Sequence, residues 1–150
     1  MAESKLAALS MDFAVKVLRL CDSIKGHYSL VSQLERSATS IGANIHEANY
    51  ASSKADFINK FQIALKECYE TEYWLDIFHT ACILTDAEFT DMYGQCSKIR
   101  KLLVASITTA FCDGDDAGYG NLHPRLIWGR TKTIGRGDEC CNFLLQYWFS

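Results

Sequence analysis

The sequence predicts an all-α fold. It reads as an antiparallel up-down-up-down four-helix bundle over residues 1–111, followed by an irregular or β-like C-terminal extension over 112–150. Three observations predict it. A single proline, Pro124, interrupts 150 residues, which favours long helices over a loop-rich β fold. Four segments carry apolar residues at three- and four-residue steps, the period of a helix with one face buried. Only a few residues separate these segments, and connections that short make consecutive helices antiparallel neighbours.

The first helix is expected from Ser4, a possible cap, to about Lys25. Leu6, Leu9, Phe13, Val17, Leu20, Cys21 and Ile24 form its apolar stripe, with Asp12, Lys16, Arg19 and Asp22 on the other side. Gly26 is its stop, and Lys25 suits the negative end of the last turn. The second helix is expected from Leu30 to about Tyr50, capped by Ser29. Its stripe is Leu30, Leu34, Ala38, Ile41, Ile45 and Ala48. Its middle, Ser37 to Asn44, is small and polar, and Gly42 costs a helix interior about 1 kcal/mol relative to alanine. Ile41 and Ile45 keep the stripe in phase across the glycine, which favours close approach of a neighbour over a bend.

A tight corner at Ala51–Ser53 leads to the third helix, capped by Ser52 or Ser53 and running to about Cys82. Asp56 stands at capping-box spacing from Ser53. Phe57, Phe61, Ala64, Leu65, Cys68, Leu75, Phe78 and Cys82 lie on one side. Ile58, Tyr69, Tyr73, Trp74 and Ile77 lie elsewhere around the helix. One face cannot hold them all, so Tyr69, Tyr73, Trp74 and Ile77 are read as a subunit interface, where aromatic residues are enriched. The fourth helix is expected from Asp86 to about Phe111. Thr85 caps it and Glu88 completes the box. Phe89, Met92, Tyr93, Cys96, Ile99, Leu103 and Ile107 form its stripe.

Composition excludes several functions. Net charge is −3, and neither half is a basic tail, so no global field holds nucleic acid. The N-terminus lacks a signal-peptide core and no run is long enough to span a bilayer, which makes the reducing cytoplasm the expected location. Seven cysteines are odd in number and scattered, with no C-x-x-C, so neither zinc nor a disulfide framework is indicated. Cys68, Cys82 and Cys96 are spaced as core residues rather than nucleophiles. Asp76…His79 has the i,i+3 form of a di-iron ligand pair, but no second copy exists, so no metal is expected. No glycine-rich phosphate loop follows a strand, and no cofactor is expected. The remaining polar set is Asn44, Glu47, Lys66, Glu67 and Glu70. It reads either as a network that fixes helix register or as a ligand-facing patch. Lys98, Arg100 and Lys101 form a basic cluster, near Lys5 and Lys16 only if the first and fourth helices pack side by side.

Four blocks carry a family resemblance: Ser40-Ile41-Gly42-Ala43-Asn44-Ile45-x-Glu47-Ala48, Ser53-Lys54-x-Asp56-Phe57, Ile63-Ala64-Leu65-Lys66-Glu67 and Glu70-Thr71-x-Tyr73-Trp74-Leu75. In order and spacing they resemble the four-helix-bundle proteins encoded in 23S ribosomal RNA intervening sequences. That family is similar to the accessory variability determinant of diversity-generating retroelements. The likeness covers about residues 10–110. Many members carry proline where this chain has Gly42, and Glu-Gly where it has Glu47-Ala48. The resemblance implies a homopentameric ring and association with nucleic acid or a ribonucleoprotein through basic surface, for which Lys98, Arg100 and Lys101 are the candidate RNA contacts, with no established enzymatic activity. The acidic balance of this chain argues against strong RNA binding.

The tail changes character. Asp113 to Asn121 reads as an acidic, turn-rich linker. Arg130 to Phe143 resembles the C-terminal strand segment of the L-2-amino-thiazoline-4-carboxylic acid hydrolase family, over about two dozen residues of a much longer enzyme. The sequence therefore points to a non-enzymatic, oligomeric accessory or scaffold protein associated with RNA. The rival is a hydrolase-like fragment using Asp138, Cys140 and Cys141.

Overall fold

A computed structural model of the chain describes residues 5–119, 126–129 and 144–147, with side chains over 5–111. Its helices are α1 (Lys5–Ser23), α2 (Tyr28–Ala48), α3 (Lys54–Thr80) and α4 (Asp86–Tyr119), followed by strands β1 (Leu126–Gly129) and β2 (Leu144–Tyr147). The chain divides into two compact units, Met1–Leu103 and Val104–Ser150.

The first unit is the four-helix bundle. α1 packs on α2 and α2 on α3. α4 joins α3 through Arg100–Glu72 and α1 through Lys16–Gln95, which closes the ring of four. The core is made where the stripes meet: Phe13 and Val17 from α1, Leu34, Ile41 and Ile45 from α2, Leu75 and Phe78 from α3, Ile99 and Leu103 from α4, all essentially without solvent contact. Each such side chain contributes about 1.5–3 kcal/mol by leaving water. The second unit contains the end of α4 and the antiparallel pair β1–β2, with Leu126 opposite Tyr147 and Gly129 opposite Leu144. Within the expected tail, the described residues 126–129 and 144–147 pair as one short ladder.

The caps show where local sequence ruled and where it did not. Thr85 and Glu88 form the reciprocal box: the Thr85 amide donates to Glu88 Oε2 at 2.9 Å, and the Glu88 amide donates to Thr85 Oγ1 at 3.3 Å. The Thr85 hydroxyl, 2.7 Å from the same Oε2, and then the Thr85 amide hold the Glu88 carboxyl below its ordinary range. Ser53 caps α3, its Oγ accepting from the Asp56 amide, while Asp56 reaches back one residue further, to the amide and hydroxyl of Ser52. α2, however, begins at Tyr28, and Ser29 lies inside it rather than at its cap. Gly26 and His27 both take left-handed backbone, with φ of 81° and 54°, and that double turn starts the helix early. α1 in turn ends at Ser23, so Lys25 lies beyond its last turn.

α3 closes in a Schellman turn. Cys82 adopts φ 57°, its amide donates to the His79 carbonyl, and the Ile83 amide donates to the Phe78 carbonyl at 2.8 Å. This corrects the core reading of Cys82, which is exposed at the corner, whereas Cys21, Cys68 and Cys96 are buried. α4 continues to Tyr119, past the expected end at Phe111, so residues 113–119 of the expected linker are helical. Once nucleated, a helix gains one bond per added residue, and two glycines do not stop it.

Gly42 lies within an unbroken α2, facing Ser10 of α1. A Cβ there would stand 3.6 Å from Ser10 Oγ, an ordinary contact. The neighbour is close, but not so close that only glycine fits. Gly42→Ala should therefore stabilise the bundle by up to about 1 kcal/mol, read as a higher denaturant midpoint. A lower midpoint would mean that the α1–α2 approach has no room for a methyl there.

Candidate functional site

α3 is the helix that faces every way. Its core side buries Phe61, Ala64, Cys68, Leu75 and Phe78. Toward α2 it presents Glu67, Glu70, Thr71 and Trp74. Arg36 of α2 pairs with Glu70, whose Oε1 also accepts from Trp74 Nε1 at 3.3 Å. Arg36 Nη1 stands 3.9 Å from Glu67 Oε2, an atom that is buried and accepts no hydrogen bond. Burial first, and the neighbouring Glu70 second, push the Glu67 carboxyl above its ordinary range, against the pull of Arg36. Beneath this cluster the Thr71 hydroxyl donates to Ser37 Oγ at 2.9 Å, both residues fully buried.

Toward α4, Glu72 is buried and accepts from Arg100 Nε at 2.9 Å. The Arg100 guanidinium lies over the Tyr69 ring, 5.2 Å from its centroid, and reaches Ser97 Oγ. On the outward side Tyr69 and Tyr73 are 53% and 59% exposed, so neither belongs to the core of its own bundle. Tyr73 meets the edge of the half-buried Trp74 at 5.1 Å.

The expected polar set does not converge. Asn44 Nδ2 donates to the Ser40 carbonyl within α2, and Glu47 pairs with Lys60 near the α2–α3 corner. Lys66 is exposed, and of the set only Glu67 and Glu70 meet, at Arg36. Arg36, Ser37, Thr71 and Glu72 complete the cross-helix networks and were not singled out from sequence. Ser37 and Thr71 carried a usable signal: each is a polar residue in the phase of a core stripe, and such a residue needs a partner.

The basic trio also separates. α1 and α4 do pack side by side, with Lys16 Nζ 3.1 Å from Gln95 Oε1, and Lys98 lines their groove. Arg100 instead turns to α3, while Lys101 is exposed.

The buried cysteines are not poised as nucleophiles. Burial, with Glu35 and Asp22 nearby, pushes the Cys21 thiol up to about 12, and contact with Cys68 together with burial raises Cys96. His79 binds Asp86 at 2.8 Å and stacks on Phe89, away from any pairing with Asp76. Among the described residues no group of three or more His, Cys, Asp or Glu side chains could hold a metal ion, and no helix is long and apolar enough to cross a membrane. Asp138, Cys140 and Cys141 lie outside the described residues.

The model of the 23S rRNA-intervening sequence protein family matches residues 2–105. The chain belongs to that family. Among solved structures it is similar to a Bacteroides thetaiotaomicron protein of unknown function from the S23 ribosomal protein family. The two are 40% identical with a TM-score of 0.65, over 68% of this chain and 97% of that one. No curated protein matches. The intervening-sequence match ends within two residues of the boundary between the compact units, so the region that the family model matches corresponds to the bundle.

Glu67 offers a test of the bundle's electrostatics. An acid whose folded pKa is raised binds more protons folded than unfolded. Its burial therefore costs stability once pH rises through the ordinary glutamate range, and the cost fades below it. Glu67→Gln should be more stable than the parent at neutral pH, and that advantage should shrink below about pH 4. Denaturant midpoints at the two pH values check this. An advantage that does not change with pH would dissociate the effect from the charge.

Proposed function

We propose that this intervening-sequence family member is a non-enzymatic, homo-oligomeric scaffold that acts as an accessory protein to RNA or a ribonucleoprotein in the cytoplasm. The observation that carries the reading is the outward side of α3. Tyr69 and Tyr73 leave aromatic surface in water there, with half-buried Trp74 and Ile77 beside them, on a helix whose other sides are already packed. Exposed aromatic surface on a small bundle is what a subunit contact would cover. The family resemblance supports five as the number of copies.

The charges favour a modest role for RNA itself. Arg36, Lys60 and Arg100 are each held by a carboxylate, so within the basic cluster direct contact would fall to Lys98 and Lys101. Few phosphate contacts mean weak, salt-sensitive binding, and recognition of a ribonucleoprotein would then rest on its protein component. Native mass spectrometry should give five times the 16.9 kDa chain mass. A monomer would overturn the scaffold. Structured RNA should bind at low salt, weaken as salt rises, and weaken further on Lys98→Glu with Lys101→Glu. No binding at low salt would leave the scaffold role without RNA.

A further inference from the structure

α1 carries a second apolar line that the bundle does not use. Met11, Val15 and Leu18 are 62%, 38% and 41% exposed. Steps of four and three put them on one side of the helix, while Phe13, Ala14, Val17 and Cys21 occupy the buried side. α1 touches α2 and α4, and so does α3. The two therefore stand at opposite corners of the bundle, and their outward sides point apart.

We infer that copies of this chain join head to tail, with the Met11–Val15–Leu18 ridge of α1 seated on the Tyr69–Tyr73–Ile77 face of α3 in the next copy. The inference rests on the oligomeric reading above and names the surfaces that meet. Two unlike patches on opposite sides form a heterologous contact, which repeats around a ring and covers both patches with one interface. An α3–α3 contact would close a dimer and leave the α1 ridge in water.

Direction and spacing agree with this pairing. α1 and α3 run the same way in an up-down-up-down bundle, and rotation about an axis along the bundle keeps them parallel between copies. Met11 then falls opposite Tyr69, Val15 opposite Tyr73, and Leu18 opposite Ile77. Charge is complementary in that register. Arg19, beside Leu18, comes opposite Asp76, beside Ile77, and neither forms an ion pair among the described residues. Their pairing across the contact sets register more than affinity.

The test uses the full chain with Leu18→Asp, which breaks the ridge, and Tyr73→Asp, which breaks the face. Both positions are exposed, and circular dichroism should show undiminished helicity. Each variant alone should run as a monomer in native mass spectrometry. An equimolar mixture should form a one-to-one dimer and nothing larger, because a single intact ridge–face pair remains. As a second arm, Arg19→Asp and Asp76→Arg should each reduce assembly, and the double swap should restore it. A parent that is itself monomeric would remove the oligomeric reading altogether. A parent oligomer with Leu18→Asp at the parent mass, or a mixture in which the two monomers fail to pair, would leave that reading and overturn the head-to-tail contact.

Discussion

Arg100→Leu should destabilise the bundle by about 3 kcal/mol, and the double change Glu72→Met with Arg100→Leu should recover most of that loss. Glu72 keeps only 8% of its side-chain exposure, and Arg100 Nε is the donor that meets its Oε1 at 2.9 Å. Removing the cation alone leaves a carboxylate desolvated between α3 and α4 without a partner. Arg100 itself keeps 24% exposure, so water can reach the site in part, and the lower end of the usual range for a broken buried pair applies. Replacing both groups by apolar chains of similar length removes the desolvation cost together with the attraction. The cycle is best measured by denaturant unfolding in the Tyr73→Asp background, where association would not add to stability. A double variant as unstable as Arg100→Leu would show that the pair is worth more than the apolar contacts that replace it.

Phe78→Ala should cost about 3–5 kcal/mol. The ring is wholly buried at the end of α3. The backbone around it is tied down: the Phe78 carbonyl accepts from the Ile83 and Leu84 amides and fixes the α3–α4 corner. A site held that firmly cannot collapse to fill the space of a lost ring, so the loss should fall in the upper part of that range. Leu84, buried just past the corner, sits on the same turn. Thermal or denaturant unfolding checks the magnitude. A loss below about 1 kcal/mol would mean that the corner repacks freely.

The two substitutions also separate what local sequence encodes from what it does not. The helices and their core were legible because each is a one-dimensional pattern. Phe13 and Val17, Ile41 and Ile45, Phe61 and Ala64, and Ile99 and Leu103 recur at helical steps, and all are buried. The box at Thr85–Glu88 was legible because its partners lie three residues apart. The start of α2 was not. Its boundary depends on two consecutive left-handed residues, and His27 carries no cap signal to announce them.

The polar networks lie beyond local reading for a different reason. Glu67, Glu70 and Glu72 alternate around α3, and any of them could have faced water. Arg36 settles two of them and Arg100 the third, from helices about thirty residues away in sequence. Asn44 and Glu47 were credible companions for Glu70 by type, but they lie further along α2 and bond locally. Charge pairs between helices depend on rotation and depth, and periodicity constrains only rotation.

The sequence by itself determined four amphipathic helices, their order, the surplus of aromatic residues on α3, and membership of a family through four spaced blocks. Tertiary structure decided which apolar residues count as surplus. On α1, both the Phe13–Val17–Cys21 line and the Met11–Val15–Leu18 line run at helical spacing. α2 and α4 cover the first and leave the second in water. A helix has room for two such stripes, and only the positions of its neighbours determine which becomes core and which is left for a partner.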